Sequence, residues 1–175
     1  MNMKKMFNLI PMISLFLAFF CMNAQAQEIN MVDEQNFYEV QENSDGASLI
    51  VTIDGIRKVA DFDEESTGII PKYLGKFKNA LVFMEEINKT QRNILVFRPV
   101  NGTVWQSTYE NILCKRGERE ECLMFVGETP VKVEFNRVGG PKTKFTKADS
   151  KYSKFKGHTI SSCDGEFTAS ASDDD

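Results

Sequence analysis

Alternation of apolar and polar residues with a period of two runs through most of the chain after residue 36. The clearest case is "SLIVTIDGIRKVADF", where Asp54-Gly55 tolerates the two positive φ angles of a type I′ turn. That spacing predicts a hairpin with Ile53 opposite Ile56 and Ile50 opposite Val59. "PVKVEFNRV" alternates as a half-solvated strand does, with Val131, Val133 and Phe135 on one face and Lys132, Glu134 and Asn136 on the other. "ALVFMEEI" and "NILVFRPV" are two further β-rich runs separated by the polar "NKTQR". The first is too apolar to assign by period, and a helix from Leu74 to Ile87 competes with the strand; Gly75 and the β-rich composition favour the strand. "TVWQSTYENILC" and "HTISSC" add two strands, and "FYEVQE" reads as an edge strand.

Strands at this spacing, joined by short polar turns, predict a mainly β fold: a single antiparallel β-sandwich or barrel-like domain. One stretch departs from the pattern. In "GGPKTKFTKADSKYSKFKG", Phe145, Ala148, Tyr152 and Phe155 fall at i, i+3, i+7 and i+10, and Lys144, Lys147, Lys151 and Lys154 each fall one position earlier. Thr146 and Asp149 have the spacing of a capping box, and Gly157 is placed to end a helix in the left-handed conformation. The expectation is one short C-terminal amphipathic helix with its rings on the sheet and its lysines on a separate stripe.

The first residues form a different kind of segment. Lys4 and Lys5, an apolar run from Met6 to Met22, and Ala24 and Ala26 in a small-x-small arrangement read as a secretory leader cleaved after residue 26. Asn8 and Pro11 interrupt the run and no basic stop-transfer segment follows, so no transmembrane segment is expected after cleavage. The expected organisation is a leader at 1–26, a flexible segment at 27–36, a β-rich domain at 37–167 and a disordered acidic tail at 168–175. Export places the protein in a periplasm or outside the cell.

About 150 residues remain, enough for one domain with a real core. The net charge of the whole chain is −4 and becomes more negative once Lys4 and Lys5 leave with the leader. That balance argues against general nucleic-acid binding, which needs net positive potential against phosphates.

Cys21 departs with the leader, leaving Cys114, Cys122 and Cys163 for an oxidising compartment. Cys114 and Cys122 enclose the polar "KRGEREE", and folding their flanks as an antiparallel hairpin predicts a Cys114–Cys122 disulfide. Cys163 is then a buried thiol, an intermolecular partner, or the true mate of one of the others.

Candidate chemistry is sparse, and no cofactor or metal is expected. His158 is the single histidine, which excludes a multi-histidine metal site. A dyad with Cys163 would place the two side chains on opposite faces of one strand, so a small hydrolase ranks last. "DFDEE" at 61–65 lacks the glycine and distant glutamate of a calcium loop and reads as a solvated turn. Trp105 and Tyr109 share a strand face and are able to stack on a sugar, although a core or interface position is the simpler reading. Asn88 and Asn101 open glycosylation sequons.

The function expected is that of an exported, non-catalytic binding protein. Lys144, Lys147, Lys151 and Lys154 would contact an anionic envelope polymer or an acidic protein partner. The alternative is an inhibitor or immunity-type protein that presents Arg116 and Arg119 on the Cys114–Cys122 loop.

Overall fold

A computed structural model describes residues 28–43, 46–63, 70–137 and 142–170. The leader and residues 171–175 lie outside the described residues, as do Glu64 and Glu65 of the acidic cluster; of the tail expected from residue 168, Thr168 and Ala169 are instead part of a strand, Glu166–Ala169, paired with Ile160 and Ser161.

The described residues are mainly β. The first sheet contains β1 (Ile29–Met31), β2 (Asn36–Asn43), β3 (Gly46–Ile53) and β4 (Ile56–Asp63) in that order. β5 (Lys72–Phe77), β6 (Ala80–Glu86), β7 (Gln91–Val100) and β8 (Thr103–Leu113) follow as a meander in a second, central sheet. β9 (Arg119–Val126), β10 (Thr129–Asn136) and β11 (Lys144–Lys147) make a small third sheet of order β11-β10-β9. A 3₁₀ helix at Ser150–Phe155 then leads to β12 (Ile160–Cys163) and β13 (Glu166–Ala169), which complete the central sheet as β13-β12-β8-β7-β6-β5. Pairing is antiparallel except between β12 and β8.

The predicted hairpin forms with the expected register, Ile53 opposite Ile56 and Ile50 opposite Val59, and with positive φ at Asp54 and Gly55. Within segment 27–36, expected to be loose, Ile29–Met31 pair with β2 and Val32 packs on the core. Asp33 holds the following bend by accepting from the Gln35 amide and the Asn36 side chain.

The three sheets stack as layers, and the central one is covered on both faces. Leu81, Phe83, Leu95 and Phe97 pack against Leu49, Val51 and Ile53 of the first sheet. Val82, Met84, Ile94 and Val96 alternate with them and pack against Val131, Val133 and Phe135 of the small sheet. Two-sided burial explains why "ALVFMEEI" shows no period: every residue of β6 from Ala80 to Glu85 is buried, and it is a strand.

The predicted amphipathic helix does not form. Lys144–Lys147 is instead a strand on the edge of β10, with Phe145 opposite Val133, and the helical part shrinks to one 3₁₀ segment. Asp149, not Thr146, caps it by accepting from the Lys151 amide. Gly157 takes the expected left-handed conformation just beyond its end. The period of about three that suggested an α-helical stripe suits a 3₁₀ helix, in which i and i+3 eclipse. Tyr152 and Phe155 thereby share the inward face, and Tyr152 lies edge-on to Phe167.

The predicted Cys114–Cys122 bridge is also replaced. Cys114 pairs with Cys163, their Cα atoms 5.2 Å apart and 49 residues apart in sequence. β8 and β9 do not form a hairpin, because β9 leaves the central sheet and pairs with β10. β8 runs parallel to β12 instead, and that brings Cys114 beside Cys163. Cys122 is a free thiol with no exposed surface, and burial pushes its pKa up.

Candidate functional site

Two buried polar side chains, neither singled out from the sequence, fix where β9 lies. Asn111 of β8 accepts from the Leu123 amide at 2.8 Å and donates to the Leu123 carbonyl at 3.0 Å. One carboxamide thus satisfies both backbone groups that a neighbouring strand would satisfy. Arg92 of β7 is wholly buried and binds Glu120 of β9 through two parallel bonds of 2.9 and 3.0 Å. Its other donors reach the carbonyls of Asn88, Lys89 and Gln91, so the whole guanidinium fork is satisfied.

A cleft of about 600 Å³ opens beside this junction. Arg119, Glu121, Lys132, Lys115, Asp164 and the disulfide residue Cys114 are among its lining. Glu121 and Glu134 stand directly opposite each other on β9 and β10. Lys132 lies 3.4 Å from Glu121 and 3.5 Å from Glu134. Burial opposes the charge on Glu134, yet a hydrogen bond shared with Glu121 and the charges of Lys132, Arg119 and Lys144 hold its carboxyl below the usual range.

The residues singled out from the sequence are divided by this arrangement. Arg119 and Lys144 converge on Glu134, at 3.6 and 3.8 Å, although they came from two different candidate surfaces. Arg116 goes elsewhere, to Glu86 at 3.1 Å. Lys151 faces Glu166 and the Tyr152 ring, and Lys154 lies over the Phe155 ring, both on the 3₁₀ helix. Lys144 and Lys147, three apart on a strand, project to opposite faces of it. The four lysines therefore do not make one stripe.

Other lysines take their place. Phe145 of β11 packs on Phe77 of β5 with ring centroids 5.7 Å apart, and a Cβ at Gly75 would meet the Phe145 ring at 3.0 Å. The β-bulge at Tyr73/Gly75 and the missing side chain let the two strands approach. The two edge strands therefore bring exposed lysines near one another, Lys72 and Lys78 in the β5 segment and Lys144 and Lys147 on β11, while Lys76 turns toward Asp33 of the first sheet and Lys144 and Lys147 project to opposite faces of their strand. Among the described residues, Asp33 and Glu134 are the carboxylates paired to this set, through Lys76 at 2.7 Å and Lys144 at 3.8 Å.

His158 is exposed at the end of the 3₁₀ helix, and the Cys163 sulfur is held in the disulfide, so no cysteine-histidine dyad exists. Asp61 of the acidic cluster accepts from Ser48 at 2.6 Å within the first sheet. Trp105 and Tyr109 do lie on one face of β8, but Tyr109 packs on Phe125 under the small sheet and Trp105 is 60% exposed. Asn88 caps the β6–β7 turn, accepting from the Thr90 and Gln91 amides, and Asn101 occupies the β7–β8 turn with positive φ. Among the described residues no group of three or more His, Cys, Asp or Glu is placed to hold a metal ion.

No family model, curated protein or solved structure matches the chain. The disulfide is compatible with an extracellular or periplasmic location, and among the described residues no helix is long and apolar enough to cross a membrane.

Proposed function

We propose that this is an exported, non-catalytic binding protein that holds an anionic polymer along the flank where β5 and β11 meet. One observation carries the reading: the Phe145 ring seated at Gly75 joins two lysine-bearing edge strands on a chain whose net charge is −4. Lysines on an exposed strand edge also deter strand addition, and that role alone would account for those on β5. It does not account for a second lysine-bearing strand held against the first. A polymer of sulfates, phosphates or carboxylates fits such a row because each contact releases counterions and the contacts add along the chain. Export rests on the leader pattern and on the disulfide.

The inhibitor reading receives less support. Arg116 and Arg119 are engaged with Glu86 and Glu134, and the loop that carries them is not closed by a bridge between its own ends.

Binding to dextran sulfate and to polyphosphate tests the proposal. Replacing Lys72, Lys78, Lys144 and Lys147 together by glutamine is expected to weaken binding about tenfold or more at low salt and to flatten its salt dependence. Replacing Lys151 and Lys154 should change little. Equal binding by the fourfold variant and the parent chain, at equal melting temperature, would refute the flank as the site.

A further inference from the structure

The three sheets end in six strands, five of which carry a device against strand addition, and β8 adds a partial edge because β12 covers it only from Asn111 to Leu113. β1 has three residues, and β11 and β13 have four each, short enough to template little. β5 is bulged and lined with lysines. The open edge of β9 is occupied by Asn111 on Leu123 and by the Ser162 hydroxyl, which donates to the Glu121 carbonyl at 2.6 Å. β4 is neither short nor bulged: it is a regular strand of eight residues, Ile56–Asp63, in unbroken register with β3, and the charges along it are of both signs, Arg57 and Lys58 with Asp61.

Its backbone groups are aimed outward in a definite set. Ile53 and Ile56 flank a two-residue turn and exchange both hydrogen bonds, so the amides and carbonyls of Ile56, Lys58, Ala60 and Phe62 face β3. Those of Arg57, Val59 and Asp61 face away from it. Among the described residues, no hydrogen bond to these outward groups occurs.

The side chains along this edge complement themselves. Arg57 and Asp61 lie symmetrically about Val59, whose side chain is exposed at 40%. A second β4 laid antiparallel about Val59 sets Arg57 opposite Asp61 twice, Val59 opposite Val59, and Ile56 opposite Phe62 twice. The outward backbone groups of one strand then meet those of the other, as a hydrogen-bonded antiparallel ladder requires. Asp61 already accepts from Ser48 through one oxygen, which orients the carboxylate and leaves its other oxygen for an arginine. No other register with the same backbone alignment pairs Arg57 with Asp61.

We propose that β4 is a homodimer interface, joining the four-stranded sheets of two copies into one eight-stranded sheet across a two-fold axis at Val59. The contact is isologous and therefore closes at two copies. It also lies across the first sheet from β1, on the side away from β5 and β11, so that a dimer would leave both lysine flanks open.

Sedimentation velocity of the purified chain across a concentration series is the test, with Arg57→Asp, Asp61→Arg and the double exchange R57D/D61R. The parent chain is expected to dimerise. Each single substitution sets like charges opposite each other twice and should raise the dissociation constant about tenfold or more. The double exchange restores opposite charges in both places and should recover dimerisation to within about threefold. A parent chain that stays monomeric at about 100 μM, single variants that dimerise as the parent does, or a double variant that melts normally yet stays monomeric would each overturn the proposal. Amide exchange at Arg57, Val59 and Asp61 gives a reading independent of variant folding: protection should rise with protein concentration, and protection independent of concentration would refute the interface.

Discussion

Replacing Glu120 by alanine removes the one carboxylate that meets Arg92 in a fully buried, doubly bonded pair. Arg92 has no exposed surface, Glu120 has 3%, and the guanidinium would keep its charge, since arginine does not deprotonate in proteins. Leaving a buried charge uncompensated costs roughly 3–5 kcal/mol. Glu86, 3.6 Å from Nη2 and partly exposed, offers some compensation and argues for the lower end, about 3 kcal/mol. For a domain of this size that is a fall in melting temperature of roughly 10 °C. Arg92→Met should cost at least as much, because it also strips the donor from the Asn88, Lys89 and Gln91 carbonyls. The double substitution R92M/E120L removes both charges and should cost less than the two single losses added, by about 2 kcal/mol or more. Urea unfolding followed by far-ultraviolet circular dichroism measures all three; Trp105 fluorescence is a poor probe because the ring is already 60% exposed. A Glu120→Ala cost below about 1 kcal/mol, or simple additivity of the two single losses, would refute the pair as the clamp between β7 and β9.

Two further tests address the covalent link and the acid stability. Removing the bridge with C114S/C163S should cost about 4 kcal/mol in the chain-entropy model for a separation of 49 residues, while Cys122 should resist alkylation until the protein unfolds; bridged Cys114–Cys122 peptides in a non-reducing map would contradict both expectations. Lys76 first, then the Gln35 amide and Asn36, depress the Asp33 pKa from 3.8 to about 2, so this carboxylate's contribution is present above pH 3.8 and lost as pH falls toward 2. Asp33→Asn should flatten the melting temperature over that window, and an unchanged slope would remove Asp33 from the account.

The parts of the fold legible in the sequence are those set by neighbours along the chain. Asp54-Gly55 specifies a two-residue turn, and alternation on both sides of it carries the register from Ile53–Ile56 to Ile50–Val59. The disulfide is not legible in the same way, because adjacent strands with a polar loop between them read as a hairpin. What separates β8 from β9 is a side chain: Asn111 takes the place of a paired strand at Leu123, and its own strand then pairs with β12 forty-nine residues further on. A buried asparagine doing this has no periodic signature. Arg92 is similar, since within "NKTQR" it reads as one more polar loop residue until the carboxylate of Glu120 is seen beside it.

The same distinction between local and distant causes governs the lysines. A charge run in the sequence fixes only that lysines are near one another along the chain; whether they share a surface depends on the backbone that carries them. A helix would have gathered Lys144, Lys147, Lys151 and Lys154, whereas a strand sends the first two to opposite faces and the 3₁₀ helix carries the last two away toward β13. The lysines brought near β11 come instead from β5, because Phe145 requires a partner ring and a gap, and Phe77 and Gly75 provide them. Apolar packing thus decides where the charge collects. It follows that the proposed binding flank is vulnerable at a residue bearing no charge, since a side chain at Gly75 would push Phe145 outward and part the two lysine-bearing strands while leaving every lysine in place.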